Sequence, residues 1–121
     1  MTPVSEIAGA LAYEMAVLAW YLDLPDTPLR TSVADQRQAR RFYERQVPLA
    51  VIETALLLGS LRRLCRPAEA QRLAPIRSLA YFQPVVEELL ETPVPDGYRI
   101  YLQRKMQPYL RAPAGAQSGT G

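Results

Sequence analysis

Residues 47–66 form the longest apolar run of the chain, and apolar side chains fall on every side of a helix drawn through it. A helix without a polar face is normally buried against several neighbours. We therefore predict a central helix over about 48–65, with Pro48 at its first position. Within it Ala55, Gly59 and Ser60 are small residues that let other helices approach closely.

The segment before this run predicts two further helices. In the first, apolar residues recur every three or four positions, which predicts a buried face made of Ile7, Leu11, Met15, Leu18 and Leu22. Pro25 disfavours helical geometry in the residue before it, so the helix ends by Leu24. Ser32 with Asp35 three residues later resembles a capping box, which predicts the start of the second helix.

The segment after the central helix predicts two more helices. One begins near Ser78 and meets Pro84 about two turns in, where the helix must kink or restart. Another begins with Asp96 as a possible cap and runs to about Leu110, with Arg99 facing away from the core. The fold class is all-α: a single small bundle of about five helices around the central one.

At 121 residues the chain fits one domain, which we place at residues 1–111. Residues 112–121 are rich in Gly, Ala and Ser and are predicted to be a disordered tail. The N-terminal apolar stretch carries Glu6 and Glu14 and no basic residue, which favours a soluble amphipathic helix over a signal peptide or membrane segment. No membrane association is predicted.

The chain has no histidine and one cysteine, Cys65. The commonest general base and metal ligand is therefore missing, and no phosphate-binding glycine loop is present. We predict no catalytic site, no metal site and no cofactor, and hence no enzyme. A single cysteine fits a reducing, cytoplasmic location, with Cys65 itself expected to be buried or half-buried.

The charge is unevenly distributed along the chain. Residues 1–29 carry a net charge of −4, and residues 30–77 hold ten Arg against four acidic residues, a net charge of +6. Arg37, Arg41 and Arg45 repeat every four residues and share one helical face. A basic face of this kind predicts contacts to phosphates, although a solvated surface is the plainer interpretation.

The predicted nucleic-acid contacts, to DNA or RNA, are Arg37, Arg40, Arg41, Arg45, Arg62, Arg63 and Arg77. The placement of Arg62 and Arg63 at a helix C-terminus is also explained by the helix dipole. Tyr81 and Phe82 beside Arg77 would suit base stacking, but aromatic residues at a helix start are more often part of a core.

The second and third helices, over about 32–65, have the outline of a helix-turn-helix unit. A DNA-recognition helix must present polar side chains to base edges. The third helix instead offers mostly aliphatic side chains, which indicates a core helix. Any nucleic-acid contact would then come from the second helix or from the ends of the third.

The runs "RQVPLAVIETALLLGSLRR" and "IRSLAYFQPVVEEL" resemble segments of small helical proteins of bacterial mobile elements and helical parts of replication-initiation proteins. The resemblance covers roughly residues 35–90 and assigns no functional residue. It implies an accessory protein of DNA replication or of a mobile element.

An alternative function is a protein–protein adaptor or small subunit of a larger assembly. The aromatic residues are numerous for so small a chain, and several would remain on the surface: Trp20, Tyr21, Tyr98, Tyr101 and Tyr109. The acidic first third and the basic middle third could also pair between copies of the chain.

Overall fold

The computed structural model describes the backbone of residues 4–111 and the side chains of residues 8–111. The described chain contains five α-helices and two 3₁₀ helices, and no strand lies within it. The α-helices are α1 Val4–Asp23, α2 Val33–Glu44, α3 Leu49–Leu64, α4 Gln83–Glu91 and α5 Asp96–Met106; the 3₁₀ helices are Leu79–Phe82 and Gln107–Tyr109. The all-α bundle is confirmed. The predicted tail at 112–121 lies outside the described residues.

Helix α3 is the centre of the bundle, as its sequence predicts. Ile52 and every residue from 54 to 60 are buried, because α1, α4, α5 and the first 3₁₀ helix all pack on α3. Gly59 marks the closest approach: a Cβ atom there would lie 2.8 Å from the ring of Phe82. The small residue is therefore required by the 3₁₀ helix that crosses α3 at this point.

Helix α1 buries a different stripe from the predicted one. Its inward residues are Ala10, Tyr13, Val17 and Tyr21, and Leu24, directly after the helix, continues the buried stripe. The prediction is wrong for Leu11 and Met15, which are 50% and 70% exposed. Because α1 is apolar on nearly every side, three- and four-residue spacing fits two stripes, and the stripe with both tyrosines is the one that faces α2 and α3.

The capping box at the start of α2 is confirmed. The backbone N–H of Asp35 donates to Ser32 Oγ, and the backbone N–H of Ser32 donates to Asp35 Oδ2. The second carboxylate oxygen of Asp35 accepts from the backbone N–H of Leu79 at 2.9 Å. Asp35 is 1% exposed, so one buried side chain both caps α2 and ties the first 3₁₀ helix to it.

The turn between α2 and α3 is a Schellman motif. The N–H of Gln46 donates to the carbonyl of Tyr43 and that of Val47 to the carbonyl of Phe42, with Gln46 at φ 59°. The hydroxyl of Tyr13 donates to the carbonyl of Val47 at 2.7 Å. The inward face of α1 is therefore bonded directly to this turn.

A non-helical connector, residues 65–78, leads from α3 to the first 3₁₀ helix. The backbone N–H of Ile76 donates to the carbonyl of Asp26, which holds the connector against the loop after α1. Cys65 at its start is exposed, so the expectation of a buried thiol is wrong. The residue is the C-cap of α3.

The last two α-helices cover the remaining side of α3. Pro84 falls in the first turn of α4, which restarts the helix after the 3₁₀ segment as expected. Asp96 is the first residue of α5 and makes no cap bond, since Pro95 holds the cap position. Arg99 was expected to face away, but it forms an ion pair with Glu53 of α3 at 3.0 Å.

None of the helices within residues 4–111 has the length and hydrophobicity needed to cross a bilayer.

Candidate nucleic-acid interface

The structure places the seven predicted arginines on three elements. Arg37, Arg40, Arg41 and Arg45 lie on α2 or its C-cap, Arg62 and Arg63 lie in the last turn of α3, and Arg77 lies in the connector. Six have exposed side chains, and Arg63 is the exception. They do not form one continuous row, and their neighbours differ.

Two of the arginines of the second helix are paired with acidic residues. Arg40 Nε donates to Glu14 of α1 at 2.6 Å. Arg45 forms a bidentate pair with Glu87 of α4, with distances of 2.7 and 2.8 Å. Hydrogen bonding to Arg45 lowers the pKa of Glu87 below its ordinary value, which favours the ionised form that the pair requires.

The other two arginines of α2, Arg37 and Arg41, stand one turn apart on its outward side. Both are exposed, and neither forms an ion pair within the described residues. Their charges are therefore not offset by a bonded carboxylate of the bundle. They are the part of α2 that can take a phosphate without first breaking an internal bond.

The two arginines at the end of α3 hold other elements in place. Arg62 forms a bidentate pair with Glu88 of α4, at 2.6 and 3.1 Å, and this bond lowers the pKa of Glu88. Arg63 has a side chain only 9% exposed; it donates to the carbonyl of Ala74 at 2.8 Å and to the hydroxyl of Tyr81 at 3.3 Å. Arg63 thus anchors the connector.

Arg77, Ser78, Tyr81 and Arg63 line an open hollow of about 460 Å³ beside the connector. The guanidinium carbon of Arg63 lies 5.3 Å from the centre of the Tyr81 ring, a cation–π distance. Tyr81 is 42% exposed, whereas Phe82 is completely buried. Of the two aromatic residues considered for stacking, only Tyr81 is available to a base, and Phe82 belongs to the core.

A second hollow of about 310 Å³ lies under the other half of the connector and includes Arg66 and Arg72, which were not among the predicted contacts. Arg66 donates to the carbonyl of Gln71 at 2.9 Å, so the connector folds back on itself. The signal that could have found them is the pair of prolines, Pro67 and Pro75, which interrupt helical hydrogen bonding at both ends of this stretch.

The helix-turn-helix outline does not extend to DNA recognition by α3. Residues 54–60 of that helix are buried inside the bundle, and its partly or fully exposed polar side chains, Glu53, Arg62 and Arg63, are bonded to α5, to α4 and to the connector. Base edges in a major groove could not reach it.

No group of three or more His, Cys, Asp and Glu side chains with the geometry to hold a metal ion occurs within the described part of the chain. Comparison with protein-family profiles, with curated proteins and with solved structures gave no match.

Proposed function

We propose that the chain is a non-enzymatic helical module that binds nucleic acid through phosphate contacts. The observation that carries the proposal is the exposed pair Arg37 and Arg41, which lacks acidic partners among the described residues. We place the module in the cytoplasm, as an accessory protein of DNA replication or of a mobile element.

The proposed footprint is smaller than the seven predicted arginines. Leu79 is bonded to Asp35 at the start of α2, so Arg77, two residues earlier, lies at that end of α2. Arg37, Arg41 and Arg77 make the main phosphate contacts, with Tyr81 available for stacking on an unpaired base. Arg40, Arg45, Arg62 and Arg63 contribute less, because binding through them competes with bonds inside the bundle.

Few phosphate contacts mean a modest dependence on salt. With about three phosphates neutralised, the logarithm of the association constant on duplex DNA would fall with a slope near −3 against the logarithm of salt concentration. The contacts carry no base-edge readout, so sequence preference is weak.

The test is fluorescence anisotropy of labelled single- and double-stranded DNA and RNA, titrated with protein at several salt concentrations. The triple variant Arg37→Ala, Arg41→Ala, Arg77→Ala should bind at least tenfold more weakly, with a shallower salt slope. The matched control removes the same charge from ion-paired positions: Arg40→Ala, Arg45→Ala, Arg62→Ala. Circular dichroism establishes that both variants are folded.

The control should bind much like the native chain. Equal losses in both triple variants would mean that net charge, and not the Arg37–Arg41–Arg77 surface, determines binding. No binding by the native chain at low salt would refute the proposal.

A second candidate is association with a protein partner, favoured by the apolar side chains on the outward face of α1. Leu11 and Met15 are 50% and 70% exposed there, and exposed apolar surface of this kind is typical of interaction sites. A photo-crosslinking amino acid in place of Ala12 tests this in the cell of origin. A reproducible crosslink to a different protein supports an adaptor; its absence, with no self-crosslink, counts against any partner on this face.

A further inference from the structure

The outward face of α1 is an uncharged seam over residues 8–22. We use "outer seam" for the residues Ala8, Leu11, Ala12, Met15, Leu18, Ala19 and Leu22. Leu18 and Leu22 are half-buried and the other five are exposed. Between residues 8 and 22 the only charged residue is Glu14, which lies at the edge of the seam and is bonded to Arg40.

The spacing of the seam indicates a helix as its occupant. Positions 8, 12, 15, 19 and 22 follow one another at steps of four, three, four and three, which is the seven-residue repeat of helices that pack against helices. Positions 11 and 18 extend the same repeat on one side.

The seam is complementary to itself when reversed. If two copies of α1 lie antiparallel with their Met15 residues at a two-fold axis, Ala8 faces Leu22 of the second copy. In the same register Leu11 faces the second copy's Ala19, and Ala12 faces its Leu18. Each alanine thus faces a leucine. Leu11 is 50% exposed and projects into the seam, whereas Leu18 and Leu22 also pack partly against the core of their own copy. A parallel pair would set leucine on leucine and alanine on alanine.

The charges at the edge of the seam also fit a two-fold, antiparallel pair. Such an axis lies across the helices in the plane of contact, so both copies of α2 fall on the same side of the pair. Glu14 and Arg40, bonded at 2.6 Å within one copy, would then lie near the same two residues of the other copy. Because each carboxylate is already paired with a guanidinium group of its own copy, the axis brings no unpaired like charges of these residues together.

We propose that the chain forms an antiparallel homodimer through the outer seam of α1, with Met15 at the two-fold axis. The proposal names a second copy of this chain as the partner in the second candidate function. It therefore rests on that candidate function. The seam is about 21 Å long at 1.5 Å per residue and about 10 Å wide. This footprint is well below the ~800 Å² per partner of a standard interface, so the dimer is expected to be weak and transient.

The dimer also bears on the arginines, because both copies of α2 lie on one side. Arg37 and Arg41 of the two copies would then face the same direction, which doubles the number of unpaired arginines available to one strand.

Sedimentation equilibrium over a wide protein concentration range tests the association. The average mass of the native chain should rise from that of the 13.6 kDa monomer towards twice this value. Met15→Glu places two carboxylates at the axis and should leave a folded monomer. The control is Leu29→Glu, which lies outside the seam and is 84% exposed in the native chain; it should behave as the native chain does.

Disulfide crosslinking tests the antiparallel register, in a Cys65→Ser background. Met15→Cys should crosslink to its own copy at the axis. Ala8→Cys alone should not crosslink, whereas the double variant Ala8→Cys, Leu22→Cys should. Crosslinking of Ala8→Cys alone would indicate a parallel pair and overturn the proposal.

A native chain that stays monomeric at every concentration would overturn the homodimer. The crosslinking experiment at position 12 in cells would then decide whether the chain is an adaptor. A crosslink there to another protein, with a monomer in solution, would refute only the homodimer.

Discussion

Helices α1 and α3 are both apolar on nearly every side, yet they are buried to different extents in the bundle. In α3 every residue from 54 to 60 is buried, whereas α1 buries one stripe and leaves the opposite stripe, with Leu11 and Met15, in solvent. The helices that chiefly pack on α3 are α1, α4, α5 and the first 3₁₀ helix, and those that pack on α1 are α2 and α3.

The difference shows that a helix with apolar side chains on every side needs packing partners, but its sequence does not show where those partners come from. For α3 the chain supplies them all. For α1 the chain supplies neighbours for one side, and the proposed second copy supplies the other. Substitutions of the same type in the two helices separate these cases.

The largest contrast is expected between two leucine truncations. Leu56→Ala removes a side chain that is 1% exposed, and the cavity left in the core should lower the free energy of unfolding by about 2–5 kcal/mol. Leu11→Ala removes one that is 50% exposed and should cost less than about 1 kcal/mol. Urea unfolding followed by circular dichroism at low micromolar protein measures both. Equal costs would mean that α1 is as enclosed as α3.

The next effect concerns Asp35, which ties the first 3₁₀ helix to α2 and so helps to cover α3. Asp35→Ala removes the capping box and leaves the backbone N–H of Leu79 without a partner, at a cost of about 2–3 kcal/mol in unfolding free energy. The matched control is Asp96→Ala, at an exposed helix start without a cap bond, where a change within about 0.5 kcal/mol is expected. A small cost at Asp35 would show that packing alone holds the 3₁₀ helix.

Glycine-to-alanine substitutions in the two helices should change the stability in opposite directions. Gly59→Ala in α3 would place a Cβ atom 2.8 Å from the Phe82 ring, and overpacking costs about 1–3 kcal/mol, part of which the better helix propensity of alanine offsets. Gly9→Ala in α1 meets only the Tyr43 hydroxyl, at 3.4 Å, and should stabilise by about 0.5–1 kcal/mol. Thermal unfolding of the two variants measures the signs, and stabilisation by Gly59→Ala would refute the close approach.

Much of the fold can be predicted from local patterns. The central position of α3, the capping box at Ser32 and Asp35 and the restart at Pro84 are all set within a few residues along the chain. The inward stripe of α1 cannot be predicted in this way. Both of its stripes have helical spacing, and the choice depends on where α2 and α3 lie.

The candidate site is less predictable, for a related reason. The sequence spacing predicts that Arg37, Arg41 and Arg45 share one face of α2; in the structure Arg37 and Arg41 lie within the helix, and Arg45 is its C-cap residue. It does not reveal that Arg45 bonds to Glu87, 42 residues later, or that Arg40 bonds to Glu14, 26 residues earlier. Net charge by segment overlooks such pairs, because each carboxylate belongs to a different segment from the arginine that it neutralises.

A last test concerns how the inward face of α1 is fixed. Tyr13→Phe removes the hydroxyl that donates to the Val47 carbonyl at 2.7 Å, and the loss should be about 1 kcal/mol of unfolding free energy at pH 8. Val47 lies in the turn that leads into α3, so this bond joins the two helices of the comparison.

The same variant has a distinctive pH dependence. Burial raises the pKa of Tyr13 from its ordinary 10.0 to about 12. Because the folded-state pKa is the higher one, the contribution of the neutral hydroxyl is complete below pH 10 and is lost as the pH rises towards 12. The stability difference between the native chain and Tyr13→Phe, measured by urea unfolding, should therefore shrink over this range. Burial also raises the pKa of Tyr21, but that residue is present in both chains, so its titration cancels in the difference. A difference that stays constant up to pH 12 would mean that the Tyr13 hydroxyl is not held in the core, and that the inward stripe of α1 is fixed by packing alone.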